Sequence, residues 1–165
     1  MQFDHLEIVG IAIEAGLSIM DVYDSSVQIE VQSKGDDSPL TKADIAAHET
    51  IIRGLATIDP EVPVVSEEGR VGDPKQSELA WLVDPLDGTK EFIKRNGMFT
   101  VNIALMKRMG HLWKPIFGVV HAPVNRTTWF GGVDLPATKI TDAETSQISV
   151  KKQKNTQTRL VASGS

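Results

Sequence analysis

Residues 81–92 read Trp81-Leu82-Val83-Asp84-Pro85-Leu86-Asp87-Gly88-Thr89-Lys90-Glu91-Phe92: an apolar, strand-like run that ends in two aspartates three positions apart. Pro85 restricts the backbone between them and holds the two carboxylates in a fixed turn. Carboxylates kept together resist joint ionisation unless a cation compensates, and no arginine adjoins them in the sequence. Asp84, Asp87 and the Leu86 carbonyl suit Mg²⁺, which prefers hard oxygens, keeps several waters and shares its remaining positions with substrate phosphate. Gly88 permits close approach of a ligand, and an expected helical turn over 89–93 would aim free amides at an anion. The same letters also read as plain turn chemistry, with Asp87 as a helix cap and Gly88 as a permissive backbone position. The residues alone leave both readings open.

Outward from this stretch, Ser66-Glu67-Glu68 follows the short apolar run 62–65. If that run lies beside 79–83, Glu67 and Asp84 project from one sheet edge. Three acids around a metal can lower the pKa of a bound water and align it for in-line attack on phosphorus. Taken alone, Glu67 reads as a surface acid.

Upstream, Leu6, Val9, Ile13, Leu17 and Met20 recur at helical spacing and predict a helix over about 4–23, capped by Asp4. Val27, Ile29 and Val31 alternate as a strand does, and 33–39 is a polar loop. A second helix opens at Thr41 or Lys42, with Ile45, Ile52, Leu55 and Ala56 as its apolar face, and closes at Asp59-Pro60. Strand-like runs follow at 62–65, 79–83, 99–106, 116–122 and 127–130. Strands after two helices predict an α+β layered fold, a mainly antiparallel sheet with helices on one face.

The chain has 165 residues and a formal net charge of −5, with no cysteine. That length suits one domain, or part of a larger one. Lack of cysteine removes disulfides and thiolate metal sites, so any metal must use oxygen or imidazole. Nothing in the charge favours nucleic acid, and Lys151-Lys152-Gln153-Lys154 reads as a solvated loop. No transmembrane stretch and no basic, apolar leader is visible, which points to a cytoplasmic protein. The nucleotide-binding loop G-x-x-x-x-G-K-[ST] and the G-x-S-x-G elbow are both absent. His5, His48, His111 and His121 have no ligand-like spacing and read as surface or packed residues. Arg159-Leu160-Val161-Ala162-Ser163 looks like the start of another strand. The expected organisation is therefore a metal- and phosphate-binding domain over 1–158, with 159–165 opening a truncated second domain.

Ser66-Glu67-Glu68 and Trp81 to Thr89 together resemble the paired signature of the lithium-sensitive, magnesium-dependent phosphatases that include inositol monophosphatase and fructose-1,6-bisphosphatase. The continuation Lys90 to Gly97 and Phe99 to Leu105 is closer to the bacterial CysQ-type 3′(2′),5′-bisphosphate nucleotidases, although Met98 stands where that subgroup carries glutamate. The resemblance implies the layered α/β sandwich of that superfamily and a cytoplasmic enzyme, with an inner-membrane periphery as the alternative address. It implies hydrolysis of the 3′-phosphate of adenosine 3′,5′-bisphosphate to AMP, or, as alternatives, turnover of an inositol or sugar phosphate, or an inactive truncated fragment.

By the same resemblance Glu67, Asp84, the Leu86 carbonyl and Asp87 would hold Mg²⁺, two or three ions in the complete site. Leu86, Asp87, Gly88 and Thr89 would receive the phosphate of a small nucleoside bisphosphate, and Glu67 with Thr89 would activate the attacking water. Asp44 matches the acid that takes the threonine's hydrogen bond. A missing second half would leave out a further metal-binding aspartate, and the apolar face it exposed would favour self-association.

Overall fold

The structure, a computed structural model, describes residues 3–25, 31–33 and 39–150. Helix α1 (His5–Tyr23) is capped by the Asp4 carboxylate, which accepts from the Leu6 amide at 2.9 Å. Strands β1 (Val31–Ser33) and β2 (Pro39–Thr41) form a small antiparallel pair that leads into α2 (Lys42–Ile58). Then come β3 (Val64–Ser66), β4 (Gly69–Val71), a 3₁₀ turn (Pro74–Gln76), β5 (Leu79–Asp87) and the short helix α3 (Thr89–Ile93). The meander β6 (Thr100–Met109), β7 (Leu112–Ala122), β8 (Thr127–Gly132), β9 (Leu135–Ile140) and β10 (Thr145–Gln147) follows.

Among the described residues eight strands make one sheet in the order β10-β9-β8-β7-β6-β5-β3-β4, antiparallel throughout except for the parallel β3–β5 pair. The expected α+β arrangement is therefore present. Trp81 and Val83 on β5, Val101, Ile103 and Leu105 on β6, and Phe117 and Val119 on β7 are buried in one core with α1 and α2. Alternation along the strands turns Leu82 and Val120 to the other face, where they are partly exposed.

The helices bury different stripes from those their large residues suggest. Leu6 and Leu17 of α1 are exposed at 59% and 61%, while Ile8, Val9, Ile11, Ala12, Ala15, Gly16 and Ile19 are buried. On α2, Ile45 and Ala56 are exposed, and Ala43, Ala47, Thr50, Ile51 and Leu55 face inward. Close approach is the reason. A Cβ built on Gly54 would stand 2.7 Å from Ile11, so the two helices meet along small residues that a search for bulky ones passes over.

Strands β2, β4, β9 and β10 were not foreseen, and Ser33 and Pro39, expected at the two ends of a polar loop, pair with each other across β1 and β2. Gly69–Val71 and Thr145–Gln147 are three residues long, and Pro136 and Ala137 dilute the alternation of β9. The expected strand residues Val27 and Ile29, the centre of the 33–39 loop and the predicted domain start at 159–165 lie outside the described residues.

Candidate active site

Pro85 decides the geometry of the acidic stretch. It cannot donate to the sheet ladder, and the β5–β6 register jumps there, from Asp84 opposite Asn102 to Asp87 opposite Thr100. Two β5 residues thus face one β6 residue, a β-bulge. On a regular strand, residues three apart point to opposite faces; the extra residue cancels that inversion, so Asp84 and Asp87 emerge on the same side. Asn102 on that side donates to Asp87 Oδ2 at 3.0 Å and accepts from the Thr100 hydroxyl at 3.1 Å.

The parallel β3–β5 pair brings in the third acid. Ser66 lies opposite Val83, and the Glu67 amide continues the pairing by donating to the Val83 carbonyl at 3.1 Å. Glu67 and Asp84 consequently stand together and line one open cavity of about 510 Å³ with Asn102. The Asp84 carboxyl is pushed up to about 7, first by burial, then by the charges of Glu67 and Asp87 and a hydrogen bond with Glu67, while the Leu86 amide pulls the other way. Asp84 Oδ1 is buried and has no hydrogen-bond partner among the described residues.

Three like charges, one with an orphaned buried oxygen, are costly unless a cation fills the space between them, and the donor set is all oxygen, as Mg²⁺ requires. Among the described residues no three carboxylates or imidazoles converge into a ready-made coordination shell.

Thr89 and Asp44 form the other half. The Asp44 side chain is buried, with 1% exposure, at the third position of α2. Its Oδ2 accepts from the Thr41 amide at 2.8 Å and the Thr41 hydroxyl at 2.6 Å, closing a capping box. Its Oδ1 accepts from the Thr89 hydroxyl at 3.1 Å; the Leu86 carbonyl, at 3.3 Å from the same hydroxyl, is the weaker neutral competitor.

Gly88 bends the chain between the two halves with φ +99° and ψ +40°, in the left-handed region. A Cβ there would stand 2.9 Å from the Met98 carbonyl oxygen. Phe92 anchors the short α3 in an aromatic cluster with Tyr23 and Phe99, each pair of ring centroids 5.1–5.3 Å apart. Beside Asp87 and Gly88 opens a second cavity of about 800 Å³, lined in part by Lys90, Asn96, Thr100 and Trp129.

Asp44, Leu86 and Thr89 are thus linked by hydrogen bonds, as are Glu67 and Asp84, and Asp87 joins them through its charge while Asn102 holds it in place. Sequence reasoning passed over Thr41 as more than a helix start, and it passed over Asn102 altogether. Thr41 was legible as the first letter of a capping box with Asp44; Asn102 carried no signal without the register. Of the histidines, His121 is packed against Thr128 and His48 against Ser66.

A model described as the inositol monophosphatase family matches residues 4–165. The 3′(2′),5′-bisphosphate nucleotidase CysQ of Salmonella typhimurium is 51% identical over 130 residues, covering 75% of this chain and 50% of its own length. The protein of the same name from Escherichia coli (strain K12) is 56% identical over 120 residues, covering 72% and 47%. Among solved structures, CysQ from Bacteroides thetaiotaomicron, described as a bacterial member of the inositol monophosphatase family, superposes with a TM-score of 0.72 at 33% identity, over 91% of this chain and 59% of that chain. The extragenic suppressor protein suhB from Bartonella henselae superposes with a TM-score of 0.73 at 27% identity, over 88% and 54%. The chain spans about half the length of the curated relatives it matches.

Proposed function

The chain belongs to the inositol monophosphatase family, and from that premise we propose that it carries the metal- and phosphate-binding part of a 3′(2′),5′-bisphosphate nucleotidase. The whole protein would hydrolyse the 3′-phosphate of adenosine 3′,5′-bisphosphate, giving AMP and phosphate. Residues 1–158 form the domain that holds metal and phosphate, and 159–165 open the next. The family is generally magnesium-dependent. The observation that carries the reading is the bulge at Pro85, which turns Asp84 and Asp87 to one side beside Glu67 and leaves Asp84 Oδ1 unsatisfied.

Glu67, Asp84, the Leu86 carbonyl and Asp87 are the residues that would hold Mg²⁺, with two or three ions in the complete site. When bound, the metal lowers the pKa of water and neutralises phosphoryl oxygens. The rest falls to the chain. The Leu86–Thr89 segment receives the phosphate, with the left-handed turn at Gly88 leaving room for its oxygens. The Thr89 hydroxyl proton is committed to Asp44, so the Thr89 oxygen is left to accept from the attacking water. Glu67 accepts the second proton of that water. The water's oxygen is thereby aimed at phosphorus; the P–O3′ bond breaks as the new P–O bond forms, the departing 3′ oxygen takes a proton from solvent water, and Glu67 returns its own proton to solvent.

The printed names of the relatives at 51% and 56% identity support the nucleotide over inositol phosphates. No described helix is long and apolar enough to cross a membrane. The test is phosphate release by the full-length protein in Mg²⁺, with adenosine 3′,5′-bisphosphate and inositol monophosphate side by side. Faster release from the nucleotide, abolished by Asp84→Asn, is expected. Undiminished release by that variant would remove the site, and preference for inositol monophosphate would remove the substrate.

A further inference from the structure

We infer that His48 is a positioning residue: through Ser66 it holds the two-residue turn that presents Glu67 to Asp84, so that α2 grips the site at two points one helical turn apart. The inference rests on the reading of the site proposed above.

Strands β3 and β4 are three residues each and pair Ser66 with Gly69, leaving Glu67 and Glu68 as the entire connection. On one side the turn is tied to β5, because the Glu67 amide donates to the Val83 carbonyl. On the other side the tie runs through Ser66, whose hydroxyl oxygen accepts from the Glu68 amide at 3.3 Å. A serine hydroxyl is free to rotate unless something fixes it, and here His48 Nδ1 lies 2.9 Å from that oxygen. Either partner can donate in this bond, and in both cases the oxygen keeps a lone pair for the Glu68 amide. The same ring reaches the far end of the turn: a Cβ built on Gly69 would stand 3.8 Å from His48 Nε2. His48 therefore bonds the residue that opens the turn, and its ring stands beside the backbone of the one that closes it.

Its place on α2 gives the contact its purpose. Asp44 and His48 are four residues apart and share one face of the helix, separated by roughly 6 Å along its axis. Asp44 holds Thr89 and His48 holds Ser66. Thr89 and Glu67 are the two groups assigned to the attacking water, and they come from segments with no covalent tie shorter than β5. A helix is a stiff spacer, so anchoring both segments to consecutive turns of one face sets their separation. Placement of this kind, outside the ligand shell itself, is what keeps a carboxylate in reach of a cation.

The test uses the full-length protein and four variants: His48→Ala, Ser66→Ala, the double substitution, and His48→Asn, whose side-chain amide reaches about as far as Nδ1. Exchange of the Glu68 backbone amide is followed by NMR without metal, and Mg²⁺ uptake by calorimetry. The expected result is faster Glu68 exchange and roughly ten-fold weaker Mg²⁺ binding in either alanine variant. The double substitution should be no worse than either single one, as required of residues acting through one bond. His48→Asn should recover most of both losses. Unchanged exchange and affinity in His48→Ala, or losses that add in the double variant, would overturn the inference. If the parent takes up no Mg²⁺, the reading of the site fails; accelerated Glu68 exchange in His48→Ala would then still uphold the hold on the turn, and unchanged exchange would overturn that too.

Discussion

Asp44 Oδ1 accepts the hydroxyl proton of Thr89, 45 residues away, while Asp44 Oδ2 takes both donors of Thr41. One buried carboxylate thus caps α2 and orients the residue at the mouth of α3. Helix stability and site geometry are coupled through the same group.

Replacing Asp44 by alanine strands the Thr41 amide and hydroxyl and leaves the Thr89 hydroxyl only the longer bond to the Leu86 carbonyl. Unsatisfied buried polar groups cost about 1–3 kcal/mol, and loss of a cap about 1 kcal/mol. Asp44→Ala should therefore lower the unfolding free energy by about 2–4 kcal/mol in urea titrations. Thr89→Val, which removes only the long-range bond, should cost about 1 kcal/mol. Equal losses in the two variants would mean that Asp44 is not shared between cap and site in the way described.

Asp84→Asn removes a charge that burial, Glu67 and Asp87 all oppose. Without metal, the variant should be at least as stable as the parent. With Mg²⁺ at a hundredfold excess over its dissociation constant the parent should gain about 2.7 kcal/mol, and the variant far less. Thermal melts with and without Mg²⁺ decide it; a variant that responds to the metal as the parent does would show that Asp84 is no ligand.

Gly88→Ala tests the turn between the two halves. The backbone there is left-handed, and the added methyl would press on the Met98 carbonyl and on Phe99. A loss of about 1–3 kcal/mol is expected from the strained conformation, together with loss of phosphate release by the full-length protein. Full activity in Gly88→Ala would mean that the segment tolerates a Cβ and is not a close-approach cradle.

His121 gives the fold an acid-sensitive point. Burial pushes its imidazole below the ordinary value of 6.5, its Nδ1 is bonded to the Thr128 hydroxyl at 2.9 Å, and its ring fills the space beside Gly16. Asp21, Asp24, Arg126 and Asp142 line the adjoining cavity. Because the folded-state pKa is depressed, the unfolded chain protonates first. The stability due to the neutral ring is complete above 6.5 and is lost as pH falls from there towards the lower folded-state value. Urea midpoints measured from pH 7.5 to 5 should decline more steeply for the parent than for His121→Gln. Parallel curves would assign the acid sensitivity elsewhere.

Local chemistry was legible in the sequence wherever it depends on neighbours along the chain. Asp4 and Thr41 mark helix starts, Asp59-Pro60 marks an end, and apolar, alternating and β-branched runs locate β5 to β8, because caps, proline and side-chain patterning act within a few residues. The motif around Asp84 and Asp87, and with it the family, could be read in the same way. What the sequence left open was decided by contacts between distant segments. The buried faces of α1 and α2 were set by how closely the helices approach, which favours Ala12, Ala15 and Ala47 over Leu17 and Ile45. That Asp84 and Asp87 share a side follows from the register with β6, Glu67 reaches Asp84 only because β3 runs parallel to β5, and Thr89 meets Asp44 only because α2 packs against the sheet. A one-dimensional pattern specifies which groups are available; the free energy of packing distant surfaces specifies which of them meet.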